Sequence, residues 1–270
     1  EKLGFFEGEL RKIEKAIFKP NGMILICGPT GCGKTTTLYS FLKKINPERR
    51  NIMTIEDPVE YELPGVNQQQ INVRAGIDFA SGLKSMLRQD PDVIMVGEIR
   101  DAETAKIANQ AADTGHLVLS TVHSVDTANV ISRLRYLGID PHYISSSLLA
   151  IIAQRLVRTL CLDCKEEIKN HAVSGDKALR NIYKPKGCLN CNYTGYRGRT
   201  GIFETLVINE ELRGLIYRDA SPGVIRNNYA KWGIESLRQK GIKKVLNGET
   251  TFEELDAVVS EAKFSAGETT

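Results

Sequence analysis

The chain of 270 residues has no long apolar segment. Its longest apolar stretches, "MILIC" and "VIMV", are the length of a strand and fall well short of the roughly 18 residues that cross a bilayer. The first residues, "EKLGFFEGELRK", have neither the apolar core of a secretory signal nor an initiating Met. We therefore expect no membrane span and interpret the chain as a piece of a larger soluble protein.

Charge of one sign is also missing. The 36 basic and 33 acidic residues leave a formal charge of +3, both signs are mixed along the chain, and no long basic run occurs. Internal repeats and low-complexity tracts are absent as well. This balance argues against nucleic acid as a partner and gives at most a weak case for an anionic membrane surface.

Apolar strands alternate with amphipathic helices through the first 150 residues or so. An entry helix with Phe6 and Ile17 on one face precedes "GMILIC", and the later strands are "NIMTIE", "DVIMV" and "HLVLSTV". Helices are predicted between these strands, and another over "DTANVISRLRYL". The pattern predicts an α/β fold with a mostly parallel sheet covered on both faces. The polar segment "LPGVNQQQINV" is predicted to form a small antiparallel excursion.

The pattern changes near residue 155. Cysteine pairs and short segments replace the alternation, and from Asn209 to Val259 the chain is predicted to be mostly helical, with a frayed tail "SAGETT". We therefore divide the chain into a core (1–155), an inserted cysteine subdomain (156–205) and a helical C-terminal subdomain (206–270).

The segment "GPTGCGKTTT" contains G-x-x-x-x-G-K-T between a strand and a helix. Glycines let backbone N–H groups face phosphate oxygens, Lys34 neutralises phosphate charge and Thr35 offers a hydroxyl to Mg²⁺. The alternative is a chance glycine-rich turn. The Cys32 side chain is expected to face away from phosphate, with a redox role as its alternative. The predicted nucleotide-binding residues are Gly28, Thr30, Gly31, Cys32, Gly33, Lys34, Thr35 and Thr36.

Three further strands lead into acidic or histidine side chains that could take part in catalysis. "NIMTIED" leads to Glu56, Asp57 and then Glu60, "DVIMVGE" ends in Glu98, and "HLVLSTVH" ends in His123. Ligands of open parallel sheets bind beyond the carboxyl ends of the strands, so these groups are expected at one edge with the loop. Phosphoryl transfer needs a carboxylate for Mg²⁺ and another for the attacking water, but spacing alone does not assign these roles.

Five ordered motifs resemble those of the secretion ATPase superfamily, which powers type II secretion and type IV pilus assembly. They are "GPTGCGKTTTLY", "TIEDPVE", "LRQDPDVIMVGEIRD", "TGHLVLSTVHS" and "IAQRLVRTLC", and the resemblance extends from about Gly22 to Glu254. It implies a RecA-like P-loop NTPase core in which these motifs are the Walker A loop, Asp box, Walker B region, His box and a following family segment.

The resemblance implies a role for each site residue by position. Glu60 would be the general base, Glu98 would hold the Mg²⁺ water together with Thr35, and His123 would sense the γ-phosphate. Arg100 and Arg155 receive only structural or interface roles. The His box commonly continues Thr-Asn where this chain has Ser124 and Val125, and Cys32 is usually Ser. Neither difference removes a group that the chemistry requires.

The same resemblance implies an assembly around the chain. It predicts ATP and ADP as ligands, a homo-hexameric ring, an inner-membrane platform protein, a cytoplasmic-membrane adaptor and a cytoplasmic location at the inner membrane. A chain starting at "EKLGFFEG" lacks most of the lobe that presents arginines to a ring neighbour, so we expect weak hydrolysis. Two alternatives stay open, a P-loop ATPase acting on nucleic acid and a non-hydrolysing nucleotide switch.

Four of the six cysteines form two C-x-x-C pairs, Cys161 with Cys164 and Cys188 with Cys191. A chain of this length without an export signal favours metal over disulfides. Four thiolates satisfy a closed, structural Zn²⁺ site. Redox pairs, a metal-free loop and a nucleic-acid zinc module are the alternatives. The pairs and "NYTGYRGRTGIFE" resemble the zinc subdomain of secretion and pilus-extension ATPases, which implies assembly or export over retraction. Type II secretion and type IV pilus extension are not separated.

Overall fold

The computed structural model describes residues 3–45, 48–168 and 182–259. The predicted fraying of "SAGETT" and most of the segment between the two cysteine pairs lie outside the described residues.

Helices and strands largely alternate through the first 150 residues or so, as the apolar pattern predicts. The helices are α1 (Glu7–Ile17), α2 (Lys34–Lys44), α3 (Phe79–Met86), α4 (Ala102–Asp113), α5 (Thr127–Tyr136), α6 (Pro141–Ser147), α7 (Glu210–Tyr217), α8 (Pro222–Asn227), α9 (Leu237–Leu246) and α10 (Phe252–Val258). The strands are β1 (Gly22–Cys27), β2 (Ile52–Glu56), β3 (Asn67–Gln70), β4 (Val93–Val96), β5 (Leu117–Val122), β6 (Leu148–Leu160), β7 (Glu166–Ile168), β8 (Ile182–Lys184) and β9 (Tyr196–Val207).

Seven strands form one sheet in the order β3-β2-β4-β5-β1-β6-β9. Neighbouring strands from β3 through β6 are parallel, and β1, β2, β4 and β5 are buried along their whole length. Such continuous burial is expected for strands that are covered on both faces. The predicted α/β fold with a mostly parallel sheet is confirmed.

The predicted antiparallel excursion at "LPGVNQQQINV" is wrong. β3 pairs in parallel with β2, with Met53 opposite Asn67 and Glu56 opposite Gln70. The segment between the two strands is long enough for the chain to return to the start of β2, so β3 runs in the same direction. All four residues of β3 are polar and none is buried, as suits a strand at the edge of the sheet. An isolated antiparallel bridge joins Asn72 and Ile77 just beyond it.

The helices that the periodicity predicts pack their apolar residues against the sheet. α1 buries Ile13 and Ile17, and α2 buries Leu38 and Leu42 against sheet residues such as Leu119. Asp101 is the N-cap residue of α4, because its carboxylate accepts a hydrogen bond from the backbone N–H of Thr104.

The chain divides into two compact units. The described residues up to Gln154, together with Phe203–Glu235, form what we name the sheet unit. The described residues of Arg155–Ile202 and those from Ser236 onward form the cysteine unit. The three-part division into 1–155, 156–205 and 206–270 stays a prediction.

The region around residue 155 is more regular than the sequence indicates. Instead of short segments alone, two long strands, β6 and β9, precede and follow the cysteine pairs. The mostly helical stretch from Asn209 to Val259 is present as α7 to α10. Along the parts of the chain that the structure describes, no helix combines the length and apolarity needed to cross a bilayer.

Candidate functional site

The glycine-rich loop joins β1 to α2. Gly31 and Gly33 have φ angles of 78° and 88°, in the left-handed region that residues with a Cβ rarely adopt. The Lys34 ammonium group donates hydrogen bonds to the carbonyl oxygens of Gly28 and Pro29, both at 2.9 Å, which holds its charge at the loop. The loop therefore has the shape and the positive charge of an anion site.

The start of α2 adds oriented donors to this site. Gly33 is the N-cap residue and has no side chain to accept from the first helical N–H groups. Those N–H groups and the helix dipole favour a negative charge at the loop. Thr35 lies in this first turn and is half-buried, while Thr30 and Thr36 are exposed. Cys32 is buried, as expected for a side chain facing away from a ligand.

Glu98 and His123 follow two adjacent strands, β4 and β5, and meet beyond the strand ends. The Nε2 atom of His123 lies 3.2 Å from an Oε atom of Glu98. The other Glu98 oxygen forms an ion pair with the guanidinium of Arg100. Burial alone would raise the pKa of Glu98, but the hydrogen bond and charge of Arg100, together with His123, lower it below its usual range. Glu98 is therefore held as a carboxylate.

The acidic residues after β2 have different surroundings. Glu56 is buried, and its carboxylate accepts from Tyr39 Oη, from Thr54 Oγ1 at 2.6 Å and from Gln68 Nε2 at 3.1 Å. Burial and Glu56 raise the pKa of Tyr39, so the phenol keeps its proton. Asp57 and Glu60 are exposed. Glu56 is thus fully used within the structure, and the two later carboxylates are accessible.

The same buried network supports the backbone of the Glu60 segment. The N–H of Glu60 donates to Tyr39 Oη at 3.4 Å, and Gln68 Nε2 donates to the carbonyl oxygen of Tyr61 at 3.2 Å. Leu63 N–H donates to Gln68 Oε1 at 2.6 Å. Sequence reasoning missed Tyr39 and Gln68, because both look like ordinary residues of a helix and an edge strand.

The segment after His123 is anchored by two polar groups. The carboxylate of Asp126 caps α5 by accepting from Asn129 N–H at 2.8 Å and forms an ion pair with Arg226. Glu204, which is buried, accepts from the N–H of Thr127 at 3.1 Å and from its hydroxyl at 2.6 Å. This anchoring restricts the backbone on the C-terminal side of His123.

Gln154 is a further residue at the loop that sequence reasoning missed. Its buried side chain donates from Nε2 to the carbonyl oxygen of Cys32 at 2.7 Å. Its Oε1 atom accepts from the hydroxyl of Thr37 at 2.8 Å. Gln154 lies inside the motif "IAQRLVRTLC", but nothing in one sequence distinguishes it from its neighbours. Arg155, the next residue, is half-buried and begins the cysteine unit.

The four paired cysteines come together in the cysteine unit, and their sulfur atoms all lie within 4.8 Å of one another. The Sγ distances are 3.9 Å for Cys161 to Cys188 and 3.8 Å for both Cys164 to Cys191 and Cys188 to Cys191. A disulfide needs about 2.05 Å. Four sulfurs at about 2.3 Å from a tetrahedral Zn²⁺ would lie about 3.8 Å apart, so the donor set fits zinc.

Backbone donors favour the thiolate form of Cys191, whereas burial raises the pKa of the Cys161 and Cys164 thiols. The N–H groups of Cys188 and Gly195 donate to Cys191 Sγ, both at 3.2 Å. Burial raises the pKa of the Cys191 thiol, but these donors outweigh it and bring the pKa below its usual range. The arrangement resembles a closed ligand set, without an open position for a substrate.

Comparison with known proteins identifies relatives over nearly the whole chain. The family described as "Type II/IV secretion system protein" matches residues 1–257. The chain is 49% identical over 265 residues to the type II secretion system protein E of Dickeya dadantii, covering 97% of this chain and 53% of that protein. It is 46% identical over 267 residues to the type IV pilus assembly ATPase PilB of Thermus thermophilus, covering 94% and 30%.

A solved structure, that of the pilus retraction motor PilT with bound ADP, superposes with a TM-score of 0.70. Its identity to this chain is 29%, and the match covers 97% of this chain and 67% of that one. The chain spans about half the length of the first secretion relatives that it matches.

Proposed function

This chain belongs to the type II/IV secretion system protein family, and on that premise we propose that it is the ATP-binding and ATP-hydrolysing part of a motor subunit. The motor would drive pilin or pseudopilin assembly, in type II secretion or in type IV pilus extension. The observation that carries the proposal is the contact of Glu98 with His123 beyond the carboxyl ends of β4 and β5. The phosphate-binding loop follows the carboxyl end of β1, the next strand of the sheet.

The loop residues would bind the nucleotide. Backbone N–H groups from Gly31 to Thr35 and the Lys34 ammonium would contact the phosphates, as the loop conformation and the charge of Lys34 support. Bound ADP in the retraction motor structure agrees with nucleotide binding in a related fold. Thr30, Cys32 and Thr36 belong to the same proposed ligand set.

Mg²⁺ would be held by the hydroxyl of Thr35 and the carboxylate of Glu98, where it would neutralise phosphate charge. The lowered pKa of Glu98 supports this, because a carboxylate is the form that binds a hard cation. Arg100 keeps Glu98 ionised and oriented.

We assign the general base to Glu60. Glu56 accepts three hydrogen bonds in a buried network and is committed to the structure, whereas the Glu60 side chain is exposed at the sheet edge. Glu60 would take a proton from the attacking water, and the Tyr39 contact would hold its backbone in place. His123 would contact the γ-phosphate and respond to its loss through the Glu98 hydrogen bond.

The cysteines would hold a structural Zn²⁺, which supplies folding energy to the cysteine unit and takes no part in hydrolysis. A homo-hexameric ring is proposed, with an inner-membrane platform protein and a membrane adaptor as partners and a location at the cytoplasmic face of the inner membrane. The relatives named for type II secretion and for pilus assembly support this kind of machine.

The test is a set of ATPase and ADP-binding measurements on the chain with Mg²⁺. Lys34→Ala should abolish binding, whereas His123→Ala should keep binding and lower turnover. Low-salt addition of DNA should leave turnover unchanged. Stimulation by DNA would support a nucleic-acid ATPase instead, and binding without any turnover that depends on Glu60 would support a nucleotide switch.

A further inference from the structure

The buried side chain of Gln154 contacts both the phosphate-binding loop and the first turn of α2. Its amide donates to the Cys32 carbonyl at 2.7 Å and accepts from the Thr37 hydroxyl at 2.8 Å, and its exposed fraction is 2%. We propose that Gln154 is a positioning residue that sets the loop in its phosphate-binding conformation. This inference rests on the proposed nucleotide binding at the loop.

The hydrogen bond to the Cys32 carbonyl orients a neighbouring backbone N–H group, that of Gly33, which would donate to a phosphate oxygen. The carbonyl of Cys32 and the N–H of Gly33 belong to the same planar, trans peptide unit, so they point in opposite directions. When Gln154 holds the carbonyl on its own side, the Gly33 N–H is directed to the other side of the loop. Gly33 has a left-handed φ of 88° and joins the loop to the helix, so this peptide unit decides where the donor points.

The bond to Thr37 connects the same amide to the helix. Thr37 N–H also donates to the Gly33 carbonyl at 3.1 Å, within the first turn of α2. The Gln154 side chain therefore fixes both peptide units that flank Gly33. It holds the preceding unit directly, through the Cys32 carbonyl, and the following unit indirectly, through Thr37, which donates to the Gly33 carbonyl.

The sheet gives Gln154 a rigid base. β6 pairs in parallel with β1, and Ala153 lies opposite Cys27, the last residue of β1 before the loop. Gln154 is the next residue along β6, so the strand pairing places its amide beside the loop. The strand residues that lead to it, such as Ile152 and Ala153, are fully buried.

The test measures binding of a fluorescent ADP analogue to the whole chain in the presence of Mg²⁺. Gln154→Met keeps the length of the side chain but removes both hydrogen bonds, and leaves the Cys32 carbonyl without this donor. We expect the analogue to bind about tenfold more weakly, the size of effect that a lost buried hydrogen bond produces.

Variants of Thr37, the hydrogen-bond partner of Gln154, test the inference even if Gln154→Met does not fold. Thr37→Val keeps the shape and loses the hydroxyl, and should weaken binding in the same direction. Thr37→Ser keeps the hydroxyl and should bind as the parent chain does. Combined with Gln154→Met, Thr37→Val should add less than its single effect, because the two variants remove the same hydrogen bond.

Ser147→Ala is the matched control. It removes a buried hydroxyl that donates to Asn109 Oδ1 at 2.8 Å, in a side-chain pair of α6 and α4. It should lower the melting temperature without changing ADP affinity. Equal affinity of the parent, Gln154→Met and Thr37→Val would overturn the inference while the proposed function stands. A parent chain that binds no better than Lys34→Ala would overturn both.

Discussion

Four neighbouring strands of the sheet unit bury every residue, whereas β7 and β8 of the cysteine unit bury Ile182 alone. One buried cluster of the cysteine unit, among the residues that the structure describes, consists of Cys161, Cys164 and Cys191, with Cys188 packed against them, and a few apolar residues such as Leu160 and Leu255 are buried elsewhere in the unit. A large apolar core supplies stability through surface removed from water, whereas a smaller unit buries less apolar surface and gains relatively more from a metal or disulfides. The two units are therefore expected to respond differently to the same treatments.

Polar contacts hold the C-terminal segment within the cysteine unit. Lys165 donates to the Gly248 carbonyl at 2.8 Å, the N–H of Leu160 donates to the Glu249 carbonyl at 2.8 Å, and Arg158 pairs with Glu254. Net contributions of such bonds are about 1 kcal/mol or less each. A Zn²⁺ ion bound by the four cysteines, as proposed above, would therefore contribute much of the stability of this unit.

The largest expected effect is that of removing one thiol from the cluster. Cys161→Ser or Cys188→Ser should abolish zinc binding and unfold the cysteine unit, because a closed site of four thiolates does not tolerate loss of a ligand. ADP binding at Lys34 should persist. Metal analysis, limited proteolysis and ADP titration measure the three properties.

Cys32→Ser is the matched control for zinc, since Cys32 is buried but lies outside the cluster. It should retain the metal. Loss of ADP binding in Cys161→Ser would contradict the expectation that the sheet unit keeps its function when the cysteine unit unfolds.

The next effect concerns turnover in the sheet unit. Glu60→Gln should lower ATP turnover by about 10² to 10⁴-fold, because it removes the proposed proton acceptor, and leave ADP affinity unchanged. Glu56→Gln should instead lower stability by about 1–3 kcal/mol, since it disturbs a buried hydrogen-bond network. Steady-state kinetics and thermal unfolding separate the two variants. Equal loss of turnover and of stability in both would contradict the different roles of the two carboxylates.

A cavity in the apolar core tests whether burial of apolar side chains stabilises the sheet unit. Leu119 on β5 is fully buried, and Leu119→Ala should destabilise the sheet unit by about 3 kcal/mol. Zinc content should remain that of the parent. Trp232, the single tryptophan of the chain, lies in the sheet unit, so its fluorescence during denaturation reports this unit. An unchanged denaturation midpoint would contradict the assigned core.

The smallest effect is that of the Arg158–Glu254 ion pair in the cysteine unit. The hydrogen bond from Arg158 lowers the pKa of Glu254, although burial opposes it. The pair therefore stabilises the folded unit above the ordinary pKa of a glutamate, and this contribution is lost as pH falls through the lowered value.

Because the Arg158 side chain is 53% exposed, we expect only about 0.5 kcal/mol at neutral pH. Hydrogen exchange of α10 amides measures the stability difference between the parent and Glu254→Gln. The difference should shrink toward pH 4 and in high salt. A difference that grows on acidification would contradict the assignment.

The sequence predicted most elements that position the site. β1, β2, β4 and β5 are short apolar runs, and the helices between them have a 3.6-residue period, so local pattern was sufficient for these elements. β3 was assigned the wrong direction, because the direction of an edge strand depends on how the preceding segment returns. No helix was predicted over Pro141–Ser147, where α6 lies.

Around the candidate site, the motif predicted the local backbone geometry, and the roles of its residues stay predictions. Lys34 follows its strand and opens its helix, as the motif requires. Spacing alone did not distinguish Glu56 from Glu60, because both follow the same strand within a few residues, and only the family resemblance favoured Glu60. The hydrogen bonds of Glu56 to Tyr39 and Gln68, which come from α2 and β3, separate them.

The sequence by itself determined β1, β2, β4 and β5 with the helices between them, the glycine-rich loop and the two C-x-x-C pairs, because each depends on residues close together in the chain. Tertiary structure decided which carboxylate is buried, that His123 contacts Glu98, that Gln154 spans the loop, and that four thiols meet at distances suited to zinc. These depend on strand register and on packing between distant segments. In a parallel sheet, register is set by the sum of many buried contacts, which no single stretch of sequence contains.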